Sequence, residues 1–347
     1  MRIYVSYIAC KHTTCDFHPL TNLKVKNIET PKGGYIGISR LDPILGYVPK
    51  EGFDAQVLGD GWPNINVKIN HDGLRSNGNK LSKQDFQILA VGDSFVFGDQ
   101  VNNEETWPAC LEKQMGVNVS NGGVFGYGAA QSLLRAQLLL KQNPYNTVIL
   151  AIYLNDDIGR DQLSYRFGFP KPALIYKNDG IIWSSVPDAY AHGTKYNPSN
   201  RQWPGVALIY ENSILFGRLV DYWYQGTPPE FFENRLTLKH PQAASQQDII
   251  RWTLTQLTQL PVARKMLLLQ YPSDLDNSGV AKERVEILKV AKELSIEVVD
   301  SFDELHRYPA DQLWSGHHTS FGNQVICNLI QNELRKNLLF KLKYSYP

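Results

Sequence analysis

Residues 87–98 read Gln-Ile-Leu-Ala-Val-Gly-Asp-Ser-Phe-Val-Phe-Gly, and this segment decides the fold of the chain. Its first part is a short apolar run that ends at Gly92, which is typical of a strand buried on both faces. Asp93 and Ser94 follow at the start of a turn into the next element. Because strands buried on both faces belong to parallel sheets covered by helices, the segment predicts an α/β protein.

Apolar runs continue to alternate with amphipathic stretches after this segment. The further predicted strands cover 117–119, 148–152, 266–269 and 296–299, and the predicted helices cover 104–115, 129–142, 245–259, 281–294 and 320–338. Strands that alternate with helices of this length require right-handed crossovers, and so predict a doubly wound, parallel, five-stranded sheet. Ligands of such sheets bind beyond the carboxyl ends of the strands, so we expect the chemistry just after the strands.

Two parts of the chain depart from the alternation. Residues 1–86 are rich in turn formers and short strand-like pieces, such as 56–58 and 66–69, and predict an irregular N-terminal region that contains strands. Residues 87–347 form the predicted catalytic domain, and residues 158–244 interrupt it with an insertion dense in aromatic residues and prolines. We interpret the insertion as a cap with its own small core, or as a lid whose rings stack on sugar or acyl groups; the two interpretations are compatible.

The composition of the 347 residues is that of a globular chain. Lysine and arginine number 35 against 34 aspartate and glutamate residues, so neither nucleic acid nor an anionic membrane is the expected partner. No apolar run reaches about 18 residues, so no membrane span is expected. The apolar stretch at the N-terminus is shorter than the roughly 7–15 residues of a secretion signal, and we expect an unprocessed, cytoplasmic protein.

The four cysteines do not predict a disulfide framework in a chain of this length. Cys10, His12, Cys15 and His18 lie close together, which suggests either a zinc site or a solvated segment. Tetrahedral zinc sites mostly use two separated pairs of ligands, so the spacing favours the solvated segment and no metal is expected.

Four residues at predicted strand ends or in a matching loop supply the parts of an acyl-transfer site. Ser94 offers an exposed hydroxyl as nucleophile, and its own backbone N–H at a helix start, with that of Gly126 in a glycine-rich turn, can meet a developing oxyanion. Asn155 offers an amide donor, and His317 offers a base that works near neutral pH. Taken singly, each residue has a structural interpretation as a turn, a cap or a satisfied polar residue. Four such residues in this order, each at a strand end or in a matching loop, rarely arise by chance.

This constellation resembles the SGNH hydrolases, also called GDSL esterases, which are named for a Ser, Gly, Asn and His in four blocks. Gly92-Asp93-Ser94-Phe95 is similar to the first block and Asn121-Gly122-Gly123-Val124-Phe125-Gly126 to the second; Asn155-Asp156 is similar to the third, without its usual preceding glycine, and His317 followed by Gly322-Asn323 to the fourth. The resemblance covers about residues 87–335. It implies a flavodoxin-like fold, an acyl-enzyme on Ser94, and an oxyanion hole of Ser94, Gly126 and Asn155, with no cofactor. The segment 70–75 is similar to one that often precedes the first block, and is equally well a hairpin turn.

The fourth block departs from the family pattern. The family usually carries an aspartate three residues before the histidine, where this chain has Trp314, and Ser315 fills the other nearby position. Asp311 lies six residues upstream and is the predicted third member of a catalytic triad; the alternative is a Ser–His dyad whose imidazole a backbone carbonyl orients. His318 is the rival base, but the spacing to Gly322 favours His317.

The functional alternatives that remain share one fold. The first is an esterase that removes an acyl group, commonly acetyl, from a carbohydrate or small molecule; the second is an O-acyltransferase that uses the same acyl-enzyme; the third is a binding protein that has lost activity. A nucleophile elbow is excluded because Val96 stands where its second glycine belongs. A dinucleotide fingerprint is excluded because Gln131 replaces its third glycine. The sequence does not define an oligomeric state.

Overall fold

The structure is a computed structural model, which describes residues 38–59, 62–78, 86–166, 169–178, 180–186 and 238–344. The cysteine and histidine cluster at 10–18 and most of the aromatic part of the insertion lie outside the described residues. No helix among the described residues is both long and apolar enough to cross a membrane.

The elements follow the chain in this order: β1 Ser39–Asp42, β2 Gly46–Pro49, β3 Asp54–Gly59, β4 Trp62–Lys68, β5 Gln87–Val91, α1 Ser94–Phe97, α2 Trp107–Met115, β6 Asn118–Asn121, α3 Ala129–Leu140, β7 Thr147–Tyr153, α4 Asp157–Arg160, β8 Leu163–Arg166, β9 Phe169–Pro170, β10 Leu174–Lys177 and β11 Gly180–Trp183. They continue with β12 Leu238–Lys239, α5 Gln246–Thr258, β13 Arg264–Gln270, α6 Ser278–Glu293, β14 Glu297–Asp300, α7 Phe302–Leu305, α8 Ala310–Leu313, β15 Trp314–Ser315, β16 His317–His318 and α9 Ser320–Tyr344.

The central sheet has five strands in the order β14-β13-β7-β5-β6, and all four pairings are parallel. This confirms the doubly wound, five-stranded parallel sheet and the α/β fold class predicted from the sequence. The chain order reverses between β5 and β7, because β6 lies on the outer side of β5 and the later strands lie beyond β7. In open parallel sheets such a switch point is where ligands bind, and Ser94 directly follows β5 there.

The apolar runs predicted as strands are buried in the core on both faces of the sheet. Ile88, Leu89, Ala90 and Val91 of β5 are fully buried, as are the middle residues of β7 and β13, so each strand is covered on both faces. The predicted helix 104–115 begins later, at Trp107, because Thr106 caps it by accepting the Ala109 N–H at 3.3 Å. A 3-10 turn, Asn103–Glu105, occupies the residues before it.

The N-terminal region contains the two antiparallel hairpins β1–β2 and β3–β4, in agreement with the irregular strand-containing region that the sequence predicts. A second hydrophobic cluster joins their side chains to the loop after β6 and to α1. Tyr47 of β2 donates its hydroxyl to the carbonyl of Phe125 at 2.9 Å. The described residues before 87 therefore pack directly against the loop that carries Gly126.

A disulfide joins Cys110 of α2 to Cys327 of α9, with their Cα atoms 6.1 Å apart. The composition alone gave no reason to expect a disulfide, because four cysteines are few for a chain of 347 residues. Only the packing of α2 against α9 brings the two sulfur atoms together. The disulfide holds the C-terminal helix α9 against α2.

Candidate active site

Ser94 is the first residue of α1, a single turn of helix that leaves the carboxyl end of β5. Asp93 caps this turn, because its Oδ1 accepts the Phe95 N–H at 2.9 Å. Gly98 closes it by donating its N–H to the Ser94 carbonyl at 2.8 Å. Both ends of the turn are thus fixed, and the backbone of Ser94 is held on the rim of the sheet.

His317 lies opposite Ser94, and its Nε2 is 2.9 Å from the Ser94 Oγ. It is carried by the small hairpin β15–β16, whose turn residue Gly316 has φ +84°. The backbone N–H of His317 donates to the side-chain Oε1 of Gln100 at 2.8 Å, and its ring packs against Phe95. The two residues predicted as nucleophile and base are therefore within hydrogen-bond distance of each other.

The charge state of His317 suits a base. Burial lowers its pKa from 6.5 to about 4, while the carboxylate of Asp93 acts to raise it and the guanidinium of Arg160 to lower it. The imidazole is therefore neutral at neutral pH and can accept the Ser94 proton. The rival base His318 is almost fully buried, with its ring edge-on to Phe95, and burial lowers its pKa to about 3.

A buried cluster of ion pairs contacts Asp93, the residue next to Ser94, and the sequence analysis did not predict it. Arg160 donates to the Asp93 Oδ2 at 2.9 Å, to the Asp157 Oδ1 at 2.7 Å and to the Tyr127 carbonyl at 3.0 Å. The Asp93 Oδ2 also lies 3.3 Å from the Ser94 Oγ. The helical spacing of Asp157 and Arg160 is a sequence signal from which their ion pair could have been predicted. No sequence signal indicates that Arg160 also contacts Asp93, which lies far away in the sequence.

The loop after β6 packs against α1, the turn of helix that begins at Ser94. Asn121 donates its side-chain amide to the Val96 carbonyl at 2.9 Å. A Cβ on Gly123 would lie 2.3 Å from the Phe97 nitrogen, so only glycine allows this approach. Gly126, the predicted oxyanion glycine, follows in the same loop with φ +71°, a conformation that side chains disfavour.

Asn155 follows β7 on the other side of β5. It is exposed, has φ +69°, and donates its backbone N–H to the Glu283 carboxylate on α6. Its side-chain Oδ1 faces Gly279 of the same helix, 2.8 Å from where a Cβ would stand. Burial raises the pKa of Glu283 to about 7. The structure thus places Asn155 on the predicted rim, with its described contacts on α6.

Asp311, the predicted third member of a triad, is exposed on α8. Trp314, which stands at the position of the family's aspartate, is buried and donates its indole N–H to the Tyr271 carbonyl at 3.2 Å. A carboxylate that lies beside the base is that of Asp99, whose Oδ2 is 3.6 Å from the His317 Nε2. Sequence reasoning did not single out Asp99, because nothing local connects it to His317.

Among the described residues, no group of three or more His, Cys, Asp or Glu side chains is arranged to hold a metal ion. The recorded polar contacts of the site are hydrogen bonds and ion pairs between protein groups. The arrangement offers a nucleophilic hydroxyl, a neutral imidazole and a buried carboxylate–guanidinium support, which are the parts that acyl transfer uses.

No known family profile matches the chain. An arylesterase from Vibrio mimicus is 31% identical to it over 111 residues, which cover 30% of this chain and 51% of that protein. The chain therefore matches about half the length of this relative.

Solved structures with a similar arrangement include lipolytic proteins and esterases. One is a G-D-S-L family protein from Desulfitobacterium hafniense, at 16% identity and TM-score 0.39 over 72% of this chain and 99% of that one. Another is an esterase from Pseudoalteromonas, at 14% identity and TM-score 0.40 over 73% of this chain and 99% of that one. The arylesterase match agrees with the resemblance to the SGNH hydrolases that the four sequence blocks carry.

Proposed function

We propose that the chain is a serine-dependent carboxylic ester hydrolase that acts through an acyl-enzyme on Ser94. The observation that carries the proposal is the 2.9 Å contact between the His317 Nε2 and the Ser94 Oγ at the switch point of the sheet. The match to an arylesterase over half of that protein's length supports the same reaction class.

In the first half of the reaction, the Ser94 Oγ attacks the acyl carbon while its proton passes to the His317 Nε2. The carbonyl oxygen becomes negative, and the backbone N–H groups of Ser94 and Gly126 with the Asn155 amide are the proposed donors to it. The tetrahedral intermediate collapses, the bond to the alcohol oxygen breaks, and that oxygen takes the proton from His317. The products are the free alcohol and the acyl-enzyme.

In the second half, a water molecule attacks the acyl carbon and gives its proton to the His317 Nε2. Collapse of the second tetrahedral intermediate releases the acid and returns the proton to the Ser94 Oγ. Asp93 and Arg160 hold the Ser94 turn throughout. The acid predicted from the sequence to assist His317 is Asp311, whose side chain is exposed on α8.

The substrate that we propose is a small acyl ester, acetyl in the first instance, of a carbohydrate or small molecule. The family resemblance supports the acetyl group, and the aromatic residues of the insertion support a sugar or other ring-binding alcohol. A cytoplasmic location stays a prediction from the sequence. The disulfide between Cys110 and Cys327 argues for an oxidising compartment instead, because the cytoplasm keeps thiols reduced.

The direct test is hydrolysis of p-nitrophenyl acetate by the purified chain and by Ser94→Ala. We expect the wild type to release nitrophenol steadily and the variant to lose the activity by about 10³-fold or more. Equal rates for the two proteins would contradict the mechanism, and an inactive wild type would favour a binding protein. Adding a sugar alcohol and measuring acylated product against free acid separates a transferase from a hydrolase.

A further inference from the structure

The position of the family's aspartate holds another residue in this chain, and a carboxylate from elsewhere in the fold lies beside His317. Trp314 occupies the expected position, whereas Asp99 reaches His317 from the segment that follows α1. The side chain of Asp99 is 1% exposed, and its Oδ2 lies 3.6 Å from the His317 Nε2. A buried carboxylate at that distance is screened by salt much less than an exposed one, so its charge favours the imidazolium.

The segment that carries Asp99 is fixed to both reacting residues. The Asp99 N–H donates to the Ser94 carbonyl at 3.0 Å, and the next residue, Gln100, accepts the His317 N–H at 2.8 Å. Gln100 has φ +70°, which a residue other than glycine keeps only where its surroundings hold it. The position of Asp99 is therefore set by the nucleophile turn and by the histidine hairpin together.

Arg75 fixes the same segment from the N-terminal region. Its buried guanidinium donates to the Phe97 carbonyl at 2.7 Å and to the Val101 carbonyl at 2.6 Å, and it also contacts the Gly98 carbonyl. It interacts electrostatically with Asp99 as well. The residues on either side of Asp99 are thus tied to β4 and its following turn, which makes a large movement of the carboxylate costly.

We propose that Asp99 is the positioning carboxylate of this site, which stabilises the imidazolium of His317 in place of the family's missing aspartate. At 3.6 Å the carboxylate is too far for a good hydrogen bond, so it leaves the His317 Nε2 able to accept the Ser94 proton. Once that proton has moved, the ring is positive and Asp99 lowers its energy. The inference rests on the proposed ester hydrolysis, in which the imidazolium forms as His317 takes the Ser94 proton.

The other groups around the ring set the direction of the expected pH effect. The carboxylate of Asp93 favours the imidazolium, whereas burial of the ring and the charge of Arg160 disfavour it. The negative charge of Asp99 would act in the same sense as that of Asp93. His318 is neutral at neutral pH because burial lowers its pKa to about 3. Removing the charge of Asp99 takes away an interaction that favours the imidazolium, so the His317 pKa should fall further.

The test compares pH profiles of kcat/KM for p-nitrophenyl acetate in the wild type, Asp99→Asn and Asp311→Asn. An opposite charge at this distance shifts a pKa by about 1–3 units, so Asp99→Asn should move the acid limb down by about one pH unit. Each unit of pKa corresponds to a factor of ten, and kcat/KM at pH 7 should fall by about tenfold or more. A structural role alone would lower the rate without moving the limb.

Glu333→Gln is the matched control, since it removes a partly buried carboxylate about 20 Å along α9 from the active-site end, and its profile should equal that of the wild type. If Asp99→Asn does not fold by circular dichroism, Asp99→Ser removes the charge without added volume. A limb that moves in Asp311→Asn and stays in Asp99→Asn overturns the inference, as does loss of folding in both Asp99 variants. An inactive wild type would instead refute the proposed function.

Discussion

The chemistry proposed for the site depends on a few atoms around one imidazole ring. His317 is nearly buried, so its ring is neutral at neutral pH, and the Ser94 hydroxyl lies within reach of its Nε2. A buried base of low pKa is a weak base. Carboxylates around it are therefore needed to stabilise the imidazolium, and both Asp93 and Asp99 are close enough to contribute.

Asn155 carries a prediction at the same scale. If its side-chain amide donates to the oxyanion, Asn155→Ala should lower kcat by about 10²–10³-fold with little change in KM. Glu283→Gln is the matched control, because it keeps an acceptor for the Asn155 N–H and removes only the charge. Steady-state kinetics and thermal unfolding of both variants check this. A loss of stability without loss of kcat would show that Asn155 only anchors the loop to α6.

At the scale of elements, the local pattern of the sequence was enough to predict the main strands and the long helices. The apolar runs at β5, β7 and β13 are continuous because both faces are buried, and this signal is independent of the rest of the chain. Helix ends were less accurate: α2 starts at Trp107 because of the Thr106 cap, and α9 continues to Tyr344, beyond the predicted end at 338.

The contacts that define the site could be predicted only in part. Ser94 and His317 were found because each stands in a recognisable block at a strand end or in a loop. Asp99 and Arg160 were not, since their roles arise from contacts with residues far away in sequence. A short element such as α1 has too few residues for a periodic pattern, so its capping by Asp93 also became visible only in the structure.

At the scale of the whole molecule, the disulfide is the strongest single constraint. It joins residues 217 positions apart and so closes most of residues 87–347 into one loop. In the chain-entropy view such a cross-link stabilises the folded state by up to about 5 kcal/mol, mainly by restricting the unfolded chain. It also holds α9, which follows His317, against α2, which follows the nucleophile segment.

Removing the disulfide should therefore lower the free energy of unfolding by about 2–5 kcal/mol. Urea unfolding of Cys110→Ser and Cys327→Ser measures this, and a reducing agent should lower the midpoint of the wild type toward theirs. The reductant should leave the midpoints of the two variants unchanged, which serves as the control. Equal midpoints for oxidised and reduced wild type would contradict the expected contribution.

If Ser94 is an activated nucleophile, a serine-directed reagent should label it covalently. The native chain is treated with a fluorophosphonate at neutral pH, and the adduct is located by peptide mass spectrometry. We expect one adduct per chain, on the peptide that contains Ser94, which is absent in Ser94→Ala and much slower to form in His317→Ala. An unlabelled Ser94, or an adduct that survives its substitution, would contradict the account.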